Sequence, residues 1–275
     1  MVTRLKFLAA AWLLIVAACV TTPESQKSAF IVIPLSQEIS MGRQAYQEIL
    51  QKNKESPNKR WVTMTRRVGK GLAAKTSMPN LEWEFKLIES KEQNAFALPG
   101  GKTAVYTGIL KVCENEAGLA AVLGHEIAHV TARHGAQRIS QQFLIMGAMT
   151  VASISLANKD HRQLILGALG LGTMYGISLP FSRANESEAD EIGLIYMARA
   201  GYDPREAVRF WTRFSQVKKG QQVPEFLSTH PADTTRISRL QRYMPRALRE
   251  YRGARVQYRL GERFYPESPA KTSGS

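Results

Sequence analysis

The segment from about Asn115 to Arg138 holds no proline and carries Leu119, Val122, Leu123, Ile127 and Val130 at helical spacing. That pattern predicts the strongest helix of the chain. Inside it lies His125-Glu126-Ile127-Ala128-His129. Four residues turn an α-helix by about 400°, so the two imidazoles project only about 40° apart on one side. Two neutral ring nitrogens so placed can grip one ion, and zinc prefers such ligands. Glu126 stands beside them, placed to take a proton from a water without ligating the metal itself. With five His and 19 Glu in 275 residues, random order yields about 0.006 such motifs. Coincidental spacing is therefore a weak explanation.

A third protein ligand has to come from elsewhere. His134, five residues past His129, points about 140° away from it and about 180° from His125 on one continuous helix. It also misses the H-E-x-x-H-x-x-G-x-x-H spacing, because position 132 is Ala and position 135 is Gly. His134 is expected to be a surface or packing histidine. The run Ser182-Arg183-Ala184-Asn185-Glu186-Ser187-Glu188-Ala189-Asp190 offers another source. Glu186 and Asp190 are four apart and share a helix face, while Glu188 points elsewhere. The pair suits either a carboxylate ligand backed by a second carboxylate or an ordinary solvated acidic face.

The N-terminus bears on where the chain works. Arg4 and Lys6 precede an apolar run from Phe7 to Ala18, directly before Cys19. Twelve apolar residues are short for a bilayer span and suit a signal-peptide core. Val16-Ala17-Ala18-Cys19 resembles a bacterial lipobox, whose Cys becomes lipidated, so residues 1–18 read as a lipoprotein signal peptide and Cys19 as the anchor. Val20 after the Cys favours outer-membrane sorting in a Gram-negative cell. The other reading is a plain cleaved signal that contains a Cys. With Cys19 lipidated, Cys113 has no partner for a disulfide and is expected to be a buried small hydrophobe.

Residues 20 to about 36 read as a tether of Thr, Ser, Gln and Pro. Weak helical periodicity follows over about 37 to 51, and a second helix is predicted over Trp61 to Ala74. Residues 81 to 88 alternate as a half-buried strand, and two extended segments, Asn94 to Leu98 and Lys102 to Thr107, flank Pro99-Gly100-Gly101. A small sheet thus precedes the metal-ligand helix. Beyond it, apolar stretches at 143–157 and 164–179 are split by a polar hinge at 158–163. They are expected to be buried helices or a hairpin at the membrane, and the polar hinge suits a mobile cover over the site. A helix over Arg183 to Ala200 is expected to end at Gly201, and Asp203-Pro204-Arg205-Glu206 starts another with Asp as N-cap and Glu placed for a capping box. The fold class is α+β, mostly helical. One domain is expected over 37–265, with a disordered tail over 266–275.

The formal net charge of +14 favours anionic partners. No groove-reading motif, stacking array or zinc-finger spacing accompanies it, so no nucleic-acid partner is expected. A basic surface near anionic membrane is the simpler reading.

HEIAHVTARHG followed by LPFSRANESEADEIGL resembles the zinc metalloendopeptidases of the HtpX and CAAX prenyl protease family. It is most similar to the soluble periplasmic lipoprotein branch typified by LoiP and BepA and related to the mitochondrial overlapping-activity protease. NAFALPGG at 94–101, AGYDPREA at 200–207 and STHPADTTRI at 228–237 carry the likeness further, so that it covers about residues 37 to 243. The resemblance implies a gluzincin-type domain holding one Zn2+ per chain, with Glu186 as third ligand beside His125 and His129 and with Glu126 catalytic. It implies Asp190 as an acid bonded to a ligating His. His230 is implied to lie near the site, stabilising an oxyanion or filling the open zinc position; on its own it is a helix-start residue before Pro231. Arg236 would brace that region. Asn94, Ala95, Phe96 and Ala97 would form the edge strand to which an extended substrate adds. The implied function is degradation of misfolded or stalled envelope proteins at the periplasmic face of the outer membrane, with outer-membrane assembly machinery as a partner. The alternative is a chaperone-like assembly factor that holds unfolded outer-membrane proteins in the same cleft. The helical repeats of BepA and the membrane spans of the HtpX branch have no counterpart in this sequence.

Overall fold

A computed structural model describes residues 19–150, 182–216, 226, 229–230 and 235–266. Strands β1 (Cys19–Thr21) and β2 (Ser28–Phe30) form an antiparallel hairpin. Helices α1 (Leu35–Lys52) and α2 (Lys59–Ala73) follow, then β3 (Glu84–Ile88), β4 (Ala95–Leu98) and β5 (Lys102–Tyr106). After a short turn of helix α3 (Leu110–Cys113) come α4 (Glu116–Thr131) and α5 (His134–Thr150), then α6 (Arg183–Arg199), α7 (Arg205–Gln216) and α8 (Arg236–Arg252).

The three-stranded sheet has the order β3-β5-β4, with β3 parallel and β4 antiparallel to β5. Gly100 and Gly101, both at positive φ (81° and 82°), supply the β4–β5 turn that L side chains resist. The alternation from Leu81 is only partly a strand. Residues 78–83 turn instead, with Leu81 N donating to Met78 O and Trp83 Nε1 to Met78 O.

Helix α4 differs from the one-faced helix its periodicity predicts. Every residue from Glu116 to Thr131 is buried. Its large side chains enter the main core with Val68, Leu72, Phe85 and Leu87, while its small ones admit α6. A Cβ on Gly124 would lie 2.8 Å from the Gly193 carbonyl oxygen, and one on Gly193 would lie 2.7 Å from Gly124. The two helices meet backbone to backbone there, and that contact brings the acidic end of α6 against the histidines of α4.

The helix also ends sooner than the sequence suggests. Arg133 sits at φ 54° between α4 and α5, held by Glu38 Oε2 at 2.8 Å and by the Ile33 carbonyl. His134 therefore starts a new helix. The segment read as a tether is likewise folded onto the domain: Ser77 N donates to Glu24 Oε1 at 3.0 Å, and Thr22 Oγ1 donates to Glu188 Oε1 at 3.0 Å. Polar residues that look like linker composition here satisfy a buried carboxylate. Asp203 accepts from Arg205 N at 3.0 Å, but Glu206 turns to Arg213 and Arg209, so no capping box closes.

Beyond α8 the chain returns to the start of α4, where Glu116 N donates to Glu262 O and Ala117 N to Leu260 O. Cys113 is a free, fully buried thiol. Among the described residues, no helix is long and apolar enough to cross a membrane. The mid-chain stretches lie outside the described residues from 151 to 181, as do the signal segment and residues 267–275.

Candidate metal centre

Helix α4 delivers His125 and His129 to one point, their Nε2 atoms 3.1 Å apart. Glu186, in the first turn of α6 behind the Ser182 N-cap, places Oε2 3.4 Å from His125 Nε2 and Oε1 3.3 Å from His129 Nε2. His230 places Nδ1 3.2 Å from His125 Nε2 and 3.0 Å from Glu186 Oε1. All four residues are buried, and one ligand atom from each lies within 4.8 Å of the others.

Whether these donors suit a metal follows from their spacing and their lone pairs. Ligands about 2.1 Å from a tetrahedral zinc lie about 3.4 Å from one another, close to the separations here. His125 Nδ1 faces Asp190 Oδ1 at 2.9 Å, which keeps the proton on Nδ1 and leaves Nε2 a bare lone pair. Lone pairs and a carboxylate converging in a buried site call for a positive charge between them. Without an ion, the same charges draw a proton to this point. Burial opposes charge on His125, yet Glu186 and Asp190 push its pKa up to about 9. Burial likewise works against Glu186, but His230 and His125 hold its carboxyl well below the usual range. His129 moves the other way, kept neutral chiefly by burial. The donor set fits a metal ion.

Glu126 stands just outside the donors. Its Oε2 accepts from Ala97 N at 3.2 Å and its Oε1 lies 3.3 Å from His230 Nε2. Burial pushes its carboxyl up, against the pull of His230 and His125. Arg236 binds the outer side: Nε donates to Asp190 Oδ2 at 2.8 Å, Nη2 donates to Glu186, and the guanidinium carbon sits 3.9 Å over the Trp211 ring. Trp211 and Phe226 stack beside His125 and wall the site with apolar surface.

The expected residues His125, Glu126, His129, Glu186, Asp190, His230 and Arg236 thus meet in one place. Asn94 directly precedes β4, an edge strand, and Ala95, Phe96 and Ala97 begin it. The amide of Ala95 is taken by Asn94 Oδ1 and that of Ala97 by Glu126. Cys19 begins β1, away from these donors in the chain and on the hairpin. His134, expected as a surface or packing histidine, takes the packing role. It is fully buried, and its Nδ1 lies 2.9 Å from His129 Nδ1. The bend at Arg133 swings it back toward His129, so its direction is not the one an unbroken helix gives, and it lies outside the donor set. Glu188, read as pointing elsewhere, points to His134 at 3.5 Å. A buried Glu one turn from His contacts could have been suspected only from the bend, which no spacing announces.

Peptidase family M48 matches residues 60–244. The chain is 36% identical over 230 residues to the mitochondrial metalloendopeptidase OMA1 of Schizosaccharomyces pombe, covering 82% of this chain and 66% of that protein. It is 30% identical over 225 residues to the beta-barrel assembly-enhancing protease of Escherichia coli K12, covering 79% of this chain and 46% of that one. Against the mitochondrial metalloendopeptidase OMA1 of Bos taurus it is 34% identical over 176 residues, 62% of this chain and 34% of the relative. The chain spans from about a third to just under two thirds of the length of these curated relatives.

Proposed function

The chain belongs to peptidase family M48, and from that premise we propose that it is a zinc-dependent endopeptidase of the bacterial envelope. The observation that carries the reading is the buried tetrad of His125, His129, Glu186 and His230 with Glu126 at its margin. His125, His129 and Glu186 would hold the ion, with Asp190 orienting His125 and Arg236 bracing both carboxylates. A bound zinc ion supplies Lewis acidity and makes a nucleophile of water at neutral pH.

Glu126 is the general base. A raised carboxyl accepts a proton from the attacking water more readily than an ordinary one. The new C–O bond forms at the scissile carbonyl, the C–N bond breaks, and Glu126 returns the proton to the departing amine. An extended peptide adds along the outer edge of β4, in antiparallel or parallel register, beside the amide that now holds Glu126. His230, whose Nδ1 lies 3.0 Å from Glu186 Oε1, would close the donor set in this arrangement and would have to move aside for a peptide carbonyl to enter.

The chain is anchored through a lipidated Cys19 at the periplasmic face of the outer membrane, and its substrates are unfolded envelope proteins. Two features support this placement: the lipobox-like Val16-Ala17-Ala18-Cys19, and the similarity to a protein named for β-barrel assembly.

The test is Glu126→Gln. Zinc content is expected to stay at one ion per chain while cleavage of unfolded outer-membrane protein or casein falls about 10²- to 10⁴-fold. Undiminished cleavage would sink the mechanism. Full cellular function from the inactive variant would transfer the main role to binding unfolded chains.

A further inference from the structure

Each of the two histidines of α4 has a second ring nitrogen, and the two are treated differently. His125 Nδ1 meets a carboxylate directly, that of Asp190 at 2.9 Å. His129 Nδ1 meets another imidazole, His134 Nδ1, at 2.9 Å. The far side of His134 meets Glu188, whose Oε2 lies 3.5 Å from His134 Nε2. His134 and Glu188 are both buried, 0% and 6% exposed.

Glu188 in turn is gripped by the N-terminal hairpin. Thr22 Oγ1 donates to its Oε1 at 3.0 Å, Ser25 Oγ donates to the same oxygen, and Lys27 Nζ stands 3.8 Å from Oε2. Thr22 is itself buried, at 3% exposed. The mechanism of peptide hydrolysis uses neither Thr22, Glu188 nor His134, yet these buried side chains form one row that ends on His129.

We propose that His134 and Glu188 are positioning residues for His129, and that the β1–β2 hairpin holds them in place. The inference rests on the metal reading of the tetrad. The proton placement follows from the contacts. If His129 Nε2 presents its lone pair to the ion, Nδ1 carries the proton and donates to His134 Nδ1. His134 then carries its own proton on Nε2 and donates to the Glu188 carboxylate. The chain makes a carboxylate–histidine–histidine support, one imidazole longer than the Asp190–His125 pair. Such outer partners fix the tautomer and ring angle of a ligand and strengthen its donor nitrogen, and losing one typically weakens metal binding 10- to 100-fold. The hairpin begins at Cys19, so the part of the chain nearest the proposed anchor is joined to His129 through a row of polar contacts.

The measurement is zinc affinity of the full chain by competition with a chromogenic chelator, read beside the 15N chemical shifts of the histidine rings. Wild type, Glu188→Gln, His134→Phe and the double variant Thr22→Val/Ser25→Ala are compared, with circular dichroism to verify folding. Glu188→Gln and His134→Phe are expected to bind zinc about 10- to 100-fold more weakly and to change the His129 tautomer signature. The hairpin double variant, which touches neither histidine, is expected to lose several-fold in the same direction. Wild-type affinity in folded Glu188→Gln and in the double variant would overturn the proposal while leaving the metal reading intact. A wild-type chain that takes up no zinc would bring down both.

Discussion

At Arg236 a full charge is carried into a pocket where the residue is 2% exposed. It persists there because two carboxylates receive it: burial works against the cation, but Asp190 and Glu186 outweigh it and raise its pKa. Desolvating such a group is costly unless every partner stays in place, so removing one member strands the others. Arg236→Met is therefore expected to destabilise the metal-free chain by about 3–5 kcal/mol in urea unfolding, with Arg236→Lys intermediate because a point charge cannot fork across two carboxylates. A loss below about 1 kcal/mol would mean that the brace is dispensable. Sequence spacing alone could never have placed this residue, which lies 46 positions from Asp190. His125, Glu126 and His129 are legible without help because their geometry is local to one helical turn. His134 shows the limit of the same arithmetic. Counting 100° per residue assumes an unbroken helix, and a single residue at φ 54° cancels the count.

Among the elements, α4 and α6 decide whether the site exists. Their contact at Gly124 and Gly193 leaves no room for a methyl group. Gly193→Ala is expected to push the helices apart, withdrawing Glu186 and Asp190 from His125, and to cost about 1–3 kcal/mol by overpacking. The check is twofold: the urea midpoint falls, and zinc retention falls with it. An alanine variant as stable and as metal-loaded as wild type would show that the close approach is incidental. Helix existence was legible for α1, α2 and α4 from apolar period and for α6 and α7 from the signals at their ends, Gly201 and Asp203-Pro204. The closeness of α4 to α6 was not, since small residues carry no hydropathy signal.

The start of α7 gives a pH-dependent test. Burial raises the Asp203 carboxyl, but its bonds to Arg205 outweigh that and hold it below its ordinary value of 3.8. A depressed folded pKa contributes stability above the unfolded pKa, and the contribution is lost as pH falls through the folded value. The stability gap between wild type and Asp203→Asn is thus expected to be widest above about pH 4 and to shrink with acidification. A gap constant from pH 7 to pH 2.5 would refute it.

The molecule as a whole is closed by its C-terminal return. Helix α4 starts with backbone amides that no helical turn can satisfy. Asn115 Oδ1 takes that of Gly118, and the carbonyls of Glu262 and Leu260 take those of Glu116 and Ala117 at 2.9 and 3.0 Å. Phe264 completes the closure. Its ring is 2% exposed, its amide donates to Glu114 O at 2.9 Å, and its carbonyl accepts from Trp61 Nε1 at 3.1 Å. This stretch lies beyond residue 244, where the family match ends, and its basic, aromatic composition places it in the domain without announcing a capping role. What hides its role is that backbone carbonyls do the capping, and carbonyls leave no trace in a sequence. Deleting residues 254–275 would remove the five backbone hydrogen bonds that join it to Glu114, Glu116, Ala117, Gly201 and Asp203, at about 0.5–1.5 kcal/mol each, and one buried aromatic side chain at about 2 kcal/mol. For a domain of this size the melting temperature is expected to drop by about 10 °C. The first turn of α4 should also lose protection in amide hydrogen exchange before the His125–His129 turn does. If the shortened chain melts within about 2 °C of the full one, the return is ornament, and α4 must be anchored by its packing on α2, α6, α7 and β4.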